Sequence, residues 1–258
     1  MTDSVLFEKS EKVGWLTLNR PESRNVLSLE VIGEIQARLD RISQDPTVRV
    51  LVIRGSGPAF CAGHNLKEFS DPQNNLPHLQ TIFAACTEMM LTIQKISQPV
   101  IAQVHGIATA AGCQLVAACD LAIAETGALF STPGVKIGLF CSTPMVPLVR
   151  VIGRRRALEM LLSGRFISAE EAEKYGLVNR VVKPERLAEE TEKWASELAG
   201  LSLKTLGYGK QVFYDQVDLD EKSAYAYAQK AIVLNALDED AKEGISAFLE
   251  KRKPVWKE

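Results

Sequence analysis

Metal and disulfide chemistry have little to build on in this sequence. Its three histidines (64, 78 and 105) are not spaced as metal ligands, and its five cysteines (61, 86, 113, 119 and 141) include no C-x-x-C pair. Five is an odd number, and Cys61, Cys113 and Cys119 stand in apolar surroundings. They read as small buried hydrophobes of a reducing compartment rather than a disulfide framework. No apolar run reaches the length of a membrane span. Neither sign of charge prevails: the net charge of −2 offers no electrostatic case for nucleic acid or an anionic membrane surface. The first ten residues, MTDSVLFEKS, have the pattern of neither a signal peptide nor an Arg-rich transit peptide. A cytoplasmic protein is the expectation, and a mature organellar form would look the same.

What is present is ordinary globular material. With 46% hydrophobic and 24% charged residues over 258 positions, the chain can hold one large domain, or a core with a small appendage. Alternation over 5–8 and 13–19 predicts a hairpin turning near 12–14, followed by a turn at 20–22. A helix is predicted over 29–43, capped by Ser28, with Ile32, Ile35, Leu39 and Ile42 on one face. A strand follows at 48–54. The polar stretch 70–78, with two prolines, is the best candidate for a mobile loop. The helix 79–96 then presents Ile82, Cys86, Met89, Met90 and Ile93 as a core stripe. Short strands are expected at 121–124, 128–130 and 178–182. Helices are expected at 145–152, 157–162 and 168–175, the last with a Ser168–Glu171 capping box, and 154–156 reads as a solvated basic cluster. From 185 on the chain reads as helical: 185–199, 203–216, 222–237 and 239–251. The composition shift near Gly200 divides the chain into 1–199 and 200–258.

Residues 100–120, VIAQVHGIATAAGCQLVAACD, organise the rest. A buried strand at 100–104 is broken by His105-Gly106. From about Ala110 a helix begins that is hydrophobic nearly all round and so belongs inside the protein. Its first N–H groups lack intrahelical partners and point one way with the positive end of the dipole. Ala110, Ala111 and Gly112 put no bulk there, which suits an anion or oxyanion pocket. Tight helix–sheet packing selects the same small residues. Residues 59–69, AFCAGHNLKEF, provide a second helix or turn beginning near His64. There Gly63 permits a sharp turn, and Asn65 and Glu68 have the spacing of an N-cap with its reciprocal partner. Two such starts converging on one carbonyl oxygen are what a thioester turning into an enolate requires.

Five segments, LNRPESRNVLS (18–28), FCAGHNLKEF (60–69), PVIAQVHGIATAAGCQLVAACDLAIA (99–124), FSTPGVKIGLF (130–140) and SAFLEKRKPVW (246–256), resemble the enoyl-CoA hydratase/isomerase (crotonase) family. They occur in family order, and the variant wording GH-N-LKE, ATAAGCQLVA and EKRKPVW is most similar to its domain-containing protein 3 subgroup. The resemblance implies an α/β fold, a crotonase-like spiral of repeated ββα units over 1–199, with a C-terminal helical trimerisation region over 200–258. It implies a homotrimer or a dimer of trimers, and an acyl-CoA thioester as substrate, coenzyme A being part of that substrate rather than a separate cofactor. The oxyanion hole falls on the backbone N–H groups of His64 and Ala111. Coenzyme A binding falls on Ala62, His64, Asn65 and Leu66, with Phe248 and Lys251 reaching the nucleotide end in a neighbouring subunit. An ordinary amphipathic helix with a solvated end accounts for Lys251 equally well.

Family hydratases use two glutamates, one to deprotonate water and one to protonate the α-carbon. Those positions are Gln114 and Gly134 here. Gln114 can orient water but cannot take up a proton, and Gly134 has no side chain. Standard two-glutamate hydration is therefore not supported. His64, Glu68 and Cys141 to Thr143 are weak substitutes, and Asp120 reads as a cap at the far end of the central helix. The expected function is an acyl-CoA enzyme of this family that stabilises an enolate or tetrahedral oxyanion. The alternative is a non-catalytic acyl-CoA-binding regulator of lipid metabolism, which binding without turnover would distinguish. RNA binding, known for a lysine-rich branch of the family, finds no basic stripe, because Arg38 and Arg41 are interleaved with Glu30, Glu34 and Asp40.

Overall fold

The computed structural model describes residues 3–70 and 76–257. Strands β1 (Val5–Ser10) and β2 (Val13–Leu18) form the expected hairpin. The turn lies at Glu11 and Lys12, where Glu11 takes φ 52°, rather than at 12–14. Helix α1 (Leu29–Ser43) begins where predicted, because the Ser28 hydroxyl accepts the Val31 N–H. Next come β3 (Val50–Gly55), the single turn α2 (Lys67–Ser70) and α3 (Leu76–Lys95). Helix α3 starts before the expected position 79, and Pro77 sits in its first turn, where the missing N–H costs nothing. Residues 71–75, the middle of the expected loop, lie outside the described residues.

The chain continues through β4 (Val100–Val104), β5 (Ile107–Thr109), α4 (Ala111–Ala118), β6 (Leu121–Glu125) and β7 (Leu129–Ser131). A 3₁₀ turn, Pro133–Ile137, gives regular structure to part of a stretch that shows no period in sequence. After it come α5 (Met145–Ile152), α6 (Arg154–Ser163), β8 (Ile167–Ser168), α7 (Ala169–Tyr175) and β9 (Arg180–Val182). The basic cluster 154–156 forms the exposed first turn of α6, and the Ser168–Glu171 capping box is formed in both directions. Helices α8 (Leu187–Ala199), α9 (Leu203–Gln216), α10 (Glu221–Ala236) and α11 (Glu239–Leu249) complete the chain.

Two sheets are wound together. One has six strands in the order β1-β2-β3-β4-β6-β9, parallel after the initial hairpin; the other has β5-β7-β8. Each turn of the chain puts one strand in each sheet and then a helix: β4-β5-α4, then β6-β7 and the 3₁₀ turn. The preceding turn does the same with β3 and Cys61, which bridges Ala108 of β5 in parallel. This is a spiral of ββα units.

The inner strands β2, β3, β4 and β6 are largely buried on both faces, as their near-continuous apolar sequence demands. Leu51 and Ile53 of β3 face the main core with α1, α3 and α4. Val50 and Val52 face a second core, closed by Leu187, Trp194 and Ala195 of α8. All five cysteines are free and buried. Burial pushes the thiols of Cys61, Cys86 and Cys113 up to about 12, so they are packing groups. No described helix is long and apolar enough to cross a membrane.

Candidate active site

The spiral brings three chain reversals to one place. Cys61 aligns with Ala108, and Ala108 with Phe130, across adjacent parallel strands. Three residues on from each stand His64, Ala111 and Pro133, all at the carboxyl ends of those strands. Ligand sites in parallel α/β sheets form at such ends, where the chain leaves the sheet for its helix. As the first residue of α4, Ala111 has an N–H with no intrahelical acceptor. His64 bridges Leu27 in parallel through Gly63 O and Asn65 N–H, which turns its own N–H away from Leu27.

This close approach rests on small residues. Ala110, immediately before α4, is held at φ 50°, ψ −117°, a conformation an L-residue rarely adopts, and its N–H is fixed to Ser131 O at 2.9 Å. Gly63 has φ 99°, and a Cβ there would stand 2.9 Å from the methyl of Ala110. A Cβ at Gly112 would fall 2.1 Å from Cys61 O. Small residues are therefore what let the chain reversals at 61–64 and 108–112 pack this closely.

A cavity of about 910 Å³ opens at this point. Ala62, His64, Leu66, Ala110, Ala111 and Gly134 lie on its wall, and no Asp or Glu does among the described residues. The imidazole of His64 packs against Phe69 and Phe83, ring centroids 5.7 and 5.3 Å away. Both of its nitrogens are buried and make no hydrogen bond among the described residues. Burial lowers its pKa, against a weaker opposing effect of the Leu27 backbone, so the ring is neutral at pH 7.

The two family acid positions are placed differently. Gln114 lies a turn into α4, buried, off the cavity wall, with Oε1 unpartnered among the described residues. Gly134 is on the wall, yet position 134 has no room: a Cβ would lie 2.5 Å from Leu139 O and 2.9 Å from Cys141 Sγ. The Cys141 thiol is pushed up by burial, the reverse of what a nucleophile needs.

Several residues stand elsewhere than their local spacing suggests. Asn65 does cap, accepting the Lys67 N–H at 3.3 Å, but Glu68 does not return to it. The Glu68 carboxylate accepts the N–H of Leu29, at 3.2 and 3.3 Å, and so caps α1. Asp120 does not cap α4; it accepts the N–H of Val100 and pairs with Lys210. Met89 and Met90 are core residues off the cavity wall. Phe248 is 81% exposed and Lys251 is also on the surface, away from this subunit's cavity. The aromatic pair Phe69 and Phe83 escapes sequence reading because nothing in the spacing marks it.

This spiral, with His64 and Ala111 on the wall of one cavity, has many relatives. Residues 8–258 match the family described as Enoyl-CoA hydratase/isomerase, and the chain belongs to that family, with its crotonase fold. Mouse and human enoyl-CoA hydratase domain-containing protein 3, both named as mitochondrial, are 43% and 44% identical over 241 residues. Those matches cover 93% of this chain and 80% and 79% of the relatives. Among solved structures, an enoyl-CoA hydratase of Mycobacterium smegmatis superposes with TM-score 0.96 at 46% identity, covering 99% of each chain. Human enoyl-CoA hydratase domain-containing protein 3 also superposes with TM-score 0.96, at 41% identity, over 98% of this chain and 100% of the other.

Proposed function

We propose that this protein binds an acyl-CoA thioester, seats its carbonyl oxygen between the N–H groups of His64 and Ala111, and stabilises the enolate or tetrahedral oxyanion that forms there. The observation that carries this reading is the alignment of Cys61 with Ala108, which sets the two amides at equivalent places on adjacent turns. Removing one donor of such a pair typically costs about 3–4 kcal/mol of transition-state stabilisation, so the pair alone supports a slow reaction. Thioester hydrolysis, decarboxylation and double-bond movement all pass through an oxyanion of this kind. Two-glutamate hydration does not suit the site, because the Gln114 carboxamide does not ionise near neutral pH and so cannot act as general acid or base, and Gly134 has no space for an acid.

A second reading, a non-catalytic acyl-CoA-binding regulator of lipid metabolism, draws support from the absence of Asp and Glu on the described cavity wall. Crotonyl-CoA and longer enoyl-CoA thioesters, followed by loss of the conjugated absorbance beside calorimetry with acetoacetyl-CoA, decide between them. Binding without hydration fits the lost acid pair, and other acyl-CoA reactions are then assayed. Rapid hydration abolished by Gln114→Ala overturns the reading that hydration is disabled.

Assembly is part of the proposal. Ile232, Val233 and Leu234 of α10 and Leu249 of α11 are exposed, which suits residues 200–258 as the oligomerisation region of a homotrimer or dimer of trimers over a 1–199 core. Phe248 and Lys251 then serve the nucleotide end of coenzyme A bound to a neighbouring subunit, and Ala62, Asn65 and Leu66 the thioester end. Coenzyme A enters as part of the substrate. A cytoplasmic location stands as a proposal beside the mitochondrial names of the mouse and human relatives, and cell fractionation tests it.

A further inference from the structure

The missing acid at position 134 has a consequence for what fits beside it. Gly134 is not required by its φ, which is ordinary; it is required by space. A Cβ at 134 would stand 2.5 Å from the Leu139 carbonyl oxygen and 2.9 Å from the Cys141 thiol, and the Leu139 N–H donates to Gly134 O at 2.9 Å. Segment 139–141 is therefore folded onto residue 134. That fold carries Leu139 and Phe140 to the cavity wall, which they share with Leu66, Phe69 and Phe83. An acid side chain at 134 and this apolar wall compete for one volume.

Leu66, Ile137, Leu139 and Phe140 on the cavity wall are 49%, 59%, 46% and 43% exposed. A short acyl group resting on the two amides would leave them in water. A long hydrocarbon would cover them, and no carboxylate on the described wall would have to be desolvated by it.

We propose that the cavity takes the aliphatic chain of a medium- to long-chain acyl thioester, and that Gly134 determines this specificity by admitting segment 139–141. The inference rests on the thioester reading above. Leu139 O is an acceptor only, so where it stands in place of a side chain at 134 it supplies no proton.

Calorimetric titration of the full chain with coenzyme A and with acetyl-, butanoyl-, octanoyl- and dodecanoyl-CoA tests it. Affinity is expected to rise with chain length by up to about fourfold per methylene, the transfer value for hydrocarbon leaving water, and then to level off. Gly134→Ala, which must displace the Leu139 carbonyl, is expected to lower the dodecanoyl-to-acetyl affinity ratio at least tenfold. Should that variant not fold, Phe140→Ser at an exposed position is expected to lower the same ratio several-fold. Thioesters that bind equally from acetyl to dodecanoyl overturn the chain-length proposal and leave the thioester reading standing. An unchanged ratio in both variants overturns the role of segment 139–141. Failure of the folded protein to bind any thioester overturns both readings.

Discussion

The ammonium of Lys210 stands 2.6 Å from the carboxylate of Asp120, with both side chains largely shut off from water. The remaining ammonium protons go to Ile93 O at 2.7 Å and Gln98 O at 2.9 Å, at the end of α3 and just before β4. The carboxylate also accepts the Val100 N–H at 2.7 Å and the Tyr214 hydroxyl at 2.9 Å. Burial pushes Asp120 up and Lys210 down, while each pulls the other back toward its charged form. One ion pair thus fastens α9 to the spiral. Breaking such a pair from one side leaves an uncompensated buried charge, so Lys210→Met should cost about 3–5 kcal/mol in denaturant unfolding. The double variant with Asp120→Asn should cost less than the sum of the two singles, because the second change removes the charge the first one strands. Additive losses would mean that the pair does not act as a unit.

His64 gives stability a pH dependence of its own. Its folded pKa lies below the ordinary histidine value, chiefly because the ring is buried against Phe69 and Phe83. In the unfolded chain it titrates near 6.5. As pH falls through about 6.5, the unfolded chain takes up a proton that the folded chain refuses, and the folded state loses stability toward the lowered pKa. His64→Leu keeps the backbone N–H and removes the ring. The drop in melting temperature between pH 7.5 and pH 5.5 should be smaller in that variant than in the parent. An equal drop in both would show that other groups account for the acid sensitivity.

Legibility in the sequence followed range of interaction. The bounds of α1, α5 and α9, the Ser28 cap and the Ser168–Glu171 box are all set within a few residues, and each is formed as read. The Ile82 to Ile93 stripe is buried as its spacing implies. Strands β5 and β8, of three and two residues, carry no pattern that shows in the sequence. Spacing pairs Glu68 with Asn65, three residues away, and cannot see Leu29, which the fold brings to the same carboxylate. Positions 64 and 111 are marked by family motifs; the register that aligns Cys61 with Ala108 is not. Nor can a sequence show that a glycine is filled by a carbonyl five residues on, as Gly134 is by Leu139.

Glu68 belongs to folding rather than chemistry. Its carboxylate meets the first N–H of α1, at the positive end of the helix dipole. Glu68→Ala should cost about 0.5–2 kcal/mol of stability, the usual effect of losing a cap. Thioester affinity, compared at a temperature where both proteins are folded, should change less than twofold. A large loss of affinity with no loss of stability would place this carboxylate in the binding machinery instead.

Restoring the family glutamate at position 134 is the natural attempt to recover hydration, and the packing argues that it fails. The Cβ of Gly134→Glu must first evict the Leu139 carbonyl from 2.5 Å and the Cys141 thiol from 2.9 Å, and the carbonyl is backbone rather than the end of a flexible side chain. Overpacking of this kind typically costs about 1–3 kcal/mol. The displaced segment carries away Leu139 and Phe140, so the acid would arrive in a site that has lost part of its wall. The second acid would still be missing, since Gln114 stays off the cavity. Gly134→Glu should therefore be less stable than the parent and should hydrate crotonyl-CoA no faster. The double variant Gly134→Glu with Gln114→Glu should add the cost of a buried carboxylate on α4, whose Gln114 is 3% exposed, without a partner to offset it. Recovery of hydration by the single variant, at unchanged melting temperature, would show that segment 139–141 yields easily and that the lost side chain alone had silenced the site.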